Sequence, residues 1–416
     1  MKVGIVGGGL GGLMTAVLLA QRGAQVTVLE RARALGGRAR TDDEDGFLFN
    51  QGPHAIYRGG ASEALLKRLG VGFSGGAPKV KGWALYQGRA HTFPAGPLSL
   101  LTTGLFDARG RWEAARLFAG VSRLEAEGDE TAGAFVDRTV SHPGLRSLLL
   151  MLLRTATYTH PAGALRARDA LVQLKMAVDP GVAYLDGGWQ TLVDGLTARG
   201  RAAGVTIGLG ASVERVIVEG GRATGIAVDG EALSFDAVVL ACGPKMAHKL
   251  APEDTAIARG NERAEPVEAA CLDVALERPT KSATVLFGVD EPYYASMHSA
   301  AANLVRPARA GGAVVHLAKY LAPGDTCTEG ELRAYLDRLQ PDARVVRARF
   351  LPKMVVMNAR LDADLGGLDG RIRTPDTAGL GLVGDWVGDT GMLLDAVAAS
   401  AEAAADAVKP MMAKTA

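Results

Sequence analysis

Residues 3–16 read VGIVGGGLGGLMTA, and no other stretch restricts the fold as tightly. A short apolar strand runs into a glycine-packed turn, and Leu10, Leu13, Met14, Val17 and Leu18 then recur at helical spacing. Gly7, Gly9 and Gly12 stand at the three fixed places of GxGxxG, with Leu10 and Gly11 between the last two. Gly7 permits the tight turn, Gly9 lets a pyrophosphate approach the backbone, and Gly12 lets the helix sit close on the strand. The helix start then offers free N–H groups and a positive dipole end to phosphate. In a chain with 54 glycines the spacing alone carries little weight; the strand before it and the helix after it give it force.

The next segment completes the unit. Gly23 ends the helix, residues 25–29 (QVTVL) form a second strand, and Glu30 closes it, followed by Arg31. A carboxylate at this distance past the glycines suits a ribose hydroxyl pair. The bland alternative is an ordinary strand–helix–strand unit with an acidic loop residue. The combination points instead to a bound dinucleotide.

Composition narrows the remaining classes. A hydrophobic fraction of 48% with 22% charged residues is that of an ordinary soluble globular chain, and 416 residues leave room for two or three domains. The net charge of +1 and the lack of a long single-sign run speak against a nucleic-acid partner. Cys242, Cys271 and Cys327 are far apart and lack CxxC spacing, so neither a disulfide framework nor a metal site is expected. The chain opens directly on its first strand, leaving no room for a signal peptide, and the apolar run 148–153 is too short to span a bilayer. The expectation is a cytoplasmic protein, with peripheral membrane contact left open and the oligomeric state undetermined.

After Glu30 comes RARALGGRART, residues 31–41, with a glycine pair, Gly36 and Gly37, ahead of Arg38. With Leu35 and Thr41 this stretch resembles the flavin amine oxidase and phytoene desaturase superfamily. The resemblance implies that FAD binds here, with Glu30 on the adenosine ribose and Arg38 on the pyrophosphate. Independently of the family, paired glycines let backbone approach a ligand and a guanidinium suits a diphosphate. Arg38 and Arg40 as solvated loop charges is the plainer reading.

Further landmarks follow in the superfamily's order. FLFNQGPHAI, residues 47–56, has Gly52, Pro53 and His54 where the family turns beside the flavin ring, although a histidine after proline also suits a plain turn. Residues 61–69 read as a helix with Ser62 as a candidate cap, and a hairpin turns at Gln87-Gly88. Residues 99–178 are mainly helical and form an inserted lobe on the substrate side. YLDGGWQTL, residues 184–192, resembles the family's return segment; its Tyr184 and Trp189, with Tyr158 before them, are substrate-site candidates. Val213 falls where the family pairs backbone with adenine. The second-domain strands place Tyr293, Tyr294 and His298 as further candidates for the cavity lining, each equally readable as core.

LGLVGDWVGDTGMLLDAVAAS, residues 380–400, resembles the family's C-terminal flavin segment. It implies Gly384 and Asp385 at the ribityl and phosphate portion, and a helix start at Met392 and Leu393 facing the pyrimidine edge. The fold class expected is α/β: a discontinuous FAD-binding Rossmann-like domain (1–75, 187–245 and 356–416) plus an α+β substrate domain with a helical lobe (76–186 and 246–355). The resemblance implies hydride transfer from a largely apolar small molecule to flavin N5, with oxygen, a quinone or another carrier as electron acceptor. An amine or amino-acid oxidase and a non-catalytic FAD-binding protein are the alternatives. No lysine lies on the strand around residues 269–274, where many amine oxidases carry one; Lys281 and Lys319 lie elsewhere. No catalytic side chain is singled out, and no metal ligands are.

Overall fold

The computed structural model describes residues 1–412. Its first layer is a parallel sheet of five strands in the order Thr206–Leu209, Gln25–Glu30, Lys2–Val6, Ala237–Leu240 and Leu380–Leu382. Strands separated by hundreds of residues are therefore neighbours, as the C-terminal return anticipated. The strands Lys2–Val6 and Ala237–Leu240 are almost wholly buried, as continuous apolar runs covered on both faces must be.

The helix Leu10–Gln21 carries no charged side chain and is buried through Leu19. It lies between the helices Gln190–Ala202 and Leu393–Met412, whose Leu192, Val193, Leu196, Ala398, Ala401 and Ala405 share its core. Small alanines on the last helix permit that close approach. A three-stranded antiparallel meander, Val213–Glu219, Arg222–Val228 and Glu231–Ser234, packs on the other side of the sheet.

The second sheet has seven strands, ordered Val345–Met357, Val267–Leu276, Ala313–Leu321, Tyr293–Met297, Val285–Gly288, Gly82–Tyr86 and Arg89–Thr92. All its pairings are antiparallel except Val285–Gly288 with Gly82–Tyr86. The hairpin at Gln87-Gly88 forms as expected, both residues having positive φ, the geometry of a tight two-residue turn. Five helices between Pro97 and Val178 form the lobe. Arg154 joins that lobe to the sheet: it donates to the Gly288 carbonyl and, at 2.9 Å, to the Glu291 carbonyl, and its guanidinium lies 5.6 Å from the Tyr320 ring centre.

Two details depart from the sequence reading. Ser62 is not the cap of its helix. The cap position is Gly60, and Asp395, at the start of the last helix, accepts from the Ser62 N–H at 2.8 Å. A carboxylate from 333 residues away thus does what a local hydroxyl was expected to do. Val345–Met357, the longest strand of the second sheet, has no counterpart among the expected elements, and it contains Pro352. It lies at the sheet edge, where a missing N–H is tolerated, and its register shifts between the pairs Ala269–Met354 and Cys271–Leu351.

Candidate active site

The glycine-rich turn is shaped by contacts that leave no room for side chains at two of its three positions. A Cβ on Gly7 would lie 2.4 Å from the Ala241 carbonyl oxygen, and one on Gly12 would lie 1.9 Å from the Gly7 oxygen. Gly9 differs: its nearest non-neighbour would be the Gly36 oxygen at 3.9 Å. It opens onto a cavity of about 600 Å³. Gly7 and Gly12 therefore shape the turn, and Gly9 presents bare backbone to the space beyond.

Glu30 closes one side of this cradle. Its carboxylate accepts from the Gly8 N–H at 2.7 Å and the Ala32 N–H at 2.8 Å, which fixes its direction and leaves lone pairs for a hydroxyl donor. Arg31, Ser212 and Val213 stand beside it on the cavity wall. On the other side the Gly36 N–H donates to the Gly8 carbonyl at 2.9 Å, and both Gly36 and Gly37 have positive φ. The pair thus bends the chain back over the turn, which brings Arg38 to the cavity. Arg38 Nη1 donates to Asp385 at 2.8 Å and to the Val356 carbonyl at 2.9 Å.

Asp385 is buried, and its other oxygen accepts from the Asn358 side chain at 2.7 Å and backbone at 3.2 Å. Its first duty is to hold Arg38 and Asn358. The N-terminal loop, the end of the second sheet and the C-terminal return meet at this one carboxylate.

Farther along the same cavity the walls become aromatic and aliphatic. Pro53, His54, Tyr158, Trp189 and Leu393 line it, together with Met354 and Val356, which the sequence reading did not single out. His54 Nδ1 is 3.1 Å from the Gly52 carbonyl, and its ring meets Trp189 edge-on at 4.8 Å between centres. Burial holds the imidazole pKa down to about 4, so the ring is neutral at pH 7. Tyr158 donates to the Pro53 carbonyl at 3.3 Å, and burial drives its phenol pKa well up. Cys242 also reaches the wall, where burial pushes its thiol up to about 12.

Of the cofactor residues expected from sequence, Gly7, Gly9, Leu10, Gly11, Glu30 and Arg31 border the cavity. So do Gly37, Arg38, Pro53, His54, Val213, Gly384, Asp385 and Leu393. Gly12 serves packing instead. Gly52 sits just behind the wall, where a Cβ would lie 2.7 Å from Cys271 Sγ. Met392 turns its side chain into the core of the helical lobe.

Among the substrate candidates, Tyr158, Trp189 and His54 line the cavity, and four others do not. Tyr184 is buried with its hydroxyl 3.0 Å from both Tyr294 and Ser296, and His298 stacks on its ring at 3.6 Å. Tyr293 donates at 2.7 Å to Glu331, on the helix Glu329–Leu339. Alternation along the strand Tyr293–Met297 puts Tyr293 and Tyr294 on opposite faces, so they never shared one wall.

The residues present fit a flavin dinucleotide. Backbone is bare at Gly9, a carboxylate suits the ribose, a guanidinium with N–H groups to spare suits the diphosphate, and aromatic and aliphatic side chains line the rest of the cavity. This two-sheet architecture and cavity define a flavin dinucleotide-binding fold.

The comparisons agree. Residues 10–272 match the family of flavin containing amine oxidoreductases, and the chain belongs to it. It is 24% identical over 298 residues to a 4,4'-diapolycopen-4-al dehydrogenase of Metabacillus indicus, covering 62% of this chain and 59% of that one. It is 26% identical over 294 residues to a 4,4'-diapophytoene desaturase of Staphylococcus haemolyticus, covering 61% and 57% respectively. The matches thus span less than two thirds of these relatives' lengths. An oxidoreductase from Methanosarcina mazei has the same fold, with a TM-score of 0.79 at 20% identity over 97% of this chain and 99% of that one.

Proposed function

We propose that this protein is an FAD-dependent dehydrogenase or desaturase that takes hydride from a carbon of a largely apolar substrate. The observation that carries the reading is the two-part cavity, with a polar glycine-rich cradle at one part and the Tyr158, Trp189, Pro53 and Leu393 chamber at the other. When bound, FAD supplies the hydride acceptor. The chain's own residues fix the cofactor through Glu30 and Arg38, exclude water with the aromatic walls, and keep His54 uncharged against an apolar ligand. The names of two curated relatives, a dehydrogenase and a desaturase of the 4,4'-diapo series, support the same substrate class. Lys319, whose ammonium is held by Glu331 at 2.8 Å and the Thr326 carbonyl at 3.0 Å, does not reach the cavity, which weighs against an amine-oxidase arrangement. The electron acceptor in this reading is oxygen, a quinone or another carrier. The division into a discontinuous cofactor domain and a substrate domain belongs to it too, supported by each sheet drawing its strands from separated stretches.

The same reading places the helical lobe against a lipid surface that delivers the substrate. Leu98 (76% exposed), Leu101 (66%) and Trp112 (63%) stand out from two successive helices, and Arg116 lies over the Trp112 ring at 5.2 Å. Apolar side chains flanked by arginine are the composition of an interfacial contact. No helix among the described residues is long and apolar enough to cross a membrane.

The test is an absorption spectrum of the purified protein, repeated anaerobically with long apolar polyenes and with amines. Bleaching of the flavin bands by a polyene is expected. Bleaching by amines alone overturns the substrate class, and a protein that neither carries nor takes up FAD overturns the whole reading.

A further inference from the structure

Asp273 lies inside the second sheet with no side-chain surface exposed. A carboxylate in that position is costly unless it is opposed and hydrogen-bonded. Its neighbours on both adjoining strands meet that need. Arg349, its partner in register on one side, donates Nη2 at 2.8 Å and Nε at 3.2 Å to Oδ2. On the other side His316 Nδ1 lies 2.6 Å from Oδ1.

The pair also reaches out of the sheet. Asp273 Oδ2 accepts from the Gly52 N–H at 3.4 Å, Arg349 Nη2 donates to the Asn50 carbonyl, and Arg349 Nη1 donates to Asp42 at 2.6 Å. Gly52 has positive φ and sits directly over Cys271. Both ends of the segment 50–52 are therefore tied to one ion pair of the second sheet. The next two residues are Pro53 and His54, which line the cavity, whereas neither Asp273 nor Arg349 reaches it.

We propose that Asp273 and Arg349 are positioning residues whose ion pair clamps residues 50–52 and so aims the Pro53–His54 wall into the cavity. The clamp's meaning for catalysis rests on the function proposed above; the clamp itself does not. Because Asn50 also accepts from the Trp189 N–H at 3.1 Å, the same grip extends to the aromatic that His54 touches.

The experiment follows the His54 ring by NMR in the full chain as purified, with labelled histidine and the His54 signal assigned through H54Q. Besides burial, the groups acting on this ring are the Gly52 carbonyl, His316, Asp273 and Arg38. Asp273 on its own raises the His54 pKa, so in D273N simple loss of charge would lower the midpoint from about 4. Release of the wall hydrates the ring and moves it the other way, toward the ordinary value of about 6.5.

The expected result is a rise of about one unit or more in D273N and in R349Q. R349K, which keeps the charge and one bond to Asp273, is expected to recover most of the wild-type midpoint. Arg349 is partly exposed, so R349Q serves where D273N fails to fold. Because loss of a cation alone also raises a histidine midpoint, R349Q is read by loss of the nuclear Overhauser contact between the His54 and Trp189 rings, and its retention overturns the clamp. A midpoint unchanged or lowered in a folded variant overturns the clamp. FAD titration of the same samples should show about tenfold weaker binding in R349Q. If the wild-type chain takes up no FAD, the proposed function falls while the histidine midpoint still decides the clamp.

Discussion

Arg38 and Asp385 lie 347 residues apart and meet at 2.8 Å on the wall of the cavity. Asp385 also holds Asn358, so one buried carboxylate fixes two polar groups around the cofactor cradle. Arg38→Ala is expected to weaken FAD binding about 10- to 100-fold, the loss of roughly 1.5–3 kcal/mol of charge-assisted bonding. Asp385→Ala is expected to weaken it as well, although it removes a negative charge from a site for a dianionic group. Fluorescence titration of FAD into both variants checks this; tighter binding by Asp385→Ala would show that the carboxylate does not organise Arg38.

The three turn glycines should separate into two kinds. Gly9→Val puts its side chain into open cavity, so the chain is expected to keep its fold and lose FAD. Gly12→Val drives Cβ onto the Gly7 oxygen and is expected to lower stability by several kcal/mol before cofactor is considered. Urea unfolding monitored by circular dichroism, beside flavin retention on gel filtration, distinguishes the two.

Stability should fall as pH drops from about 6.5 toward 4. Burial lowers the His54 pKa to about 4 and holds that of His298 well below its ordinary range. In this window the unfolded chain takes up protons that the folded one does not, so stability rises with pH and is lost on acidification. Asp362 and Asp395, raised by burial, act in the opposite sense, so the difference between variants is the cleaner measure. His54→Gln is expected to flatten the dependence by on the order of 1–3 kcal/mol across the window. Urea midpoints at pH 7 and pH 5 provide the check.

Arg154 should prove important to the helical lobe. Replacing it with methionine leaves the Gly288 and Glu291 carbonyls without their donor and removes the contact with Tyr320. The expected cost is about 1–3 kcal/mol, read as a lower urea midpoint and faster proteolysis within residues 97–178. An unchanged proteolytic pattern would show that the lobe docks without this contact.

The glycine-rich turn was legible because its residues are close in sequence and act through backbone. Strand, glycine turn, helix and Glu30 fall within thirty residues, at the spacing a dinucleotide requires. The substrate half was less legible. Tyr184, Tyr293, Tyr294 and His298 have suitable chemistry, but which face of a strand meets the cavity depends on what packs behind it. Tyr293 was claimed by Glu331 and Tyr184 by Ser296, partners that no local pattern announces.

The sequence by itself determined the class of fold and a glycine-rich cradle for a dinucleotide, since periodicity and turn chemistry are local properties of the chain; FAD as that dinucleotide followed from the family resemblance. Tertiary structure alone decided that Asp385 holds Arg38, that Asp395 caps a helix 333 residues away, and that Asp273 and Arg349 grip the segment before His54. Each of these is a charge whose burial is tolerable only beside a partner from elsewhere in the chain. Such pairings are set by how the two sheets come together, and that packing is where the cavity acquires its shape.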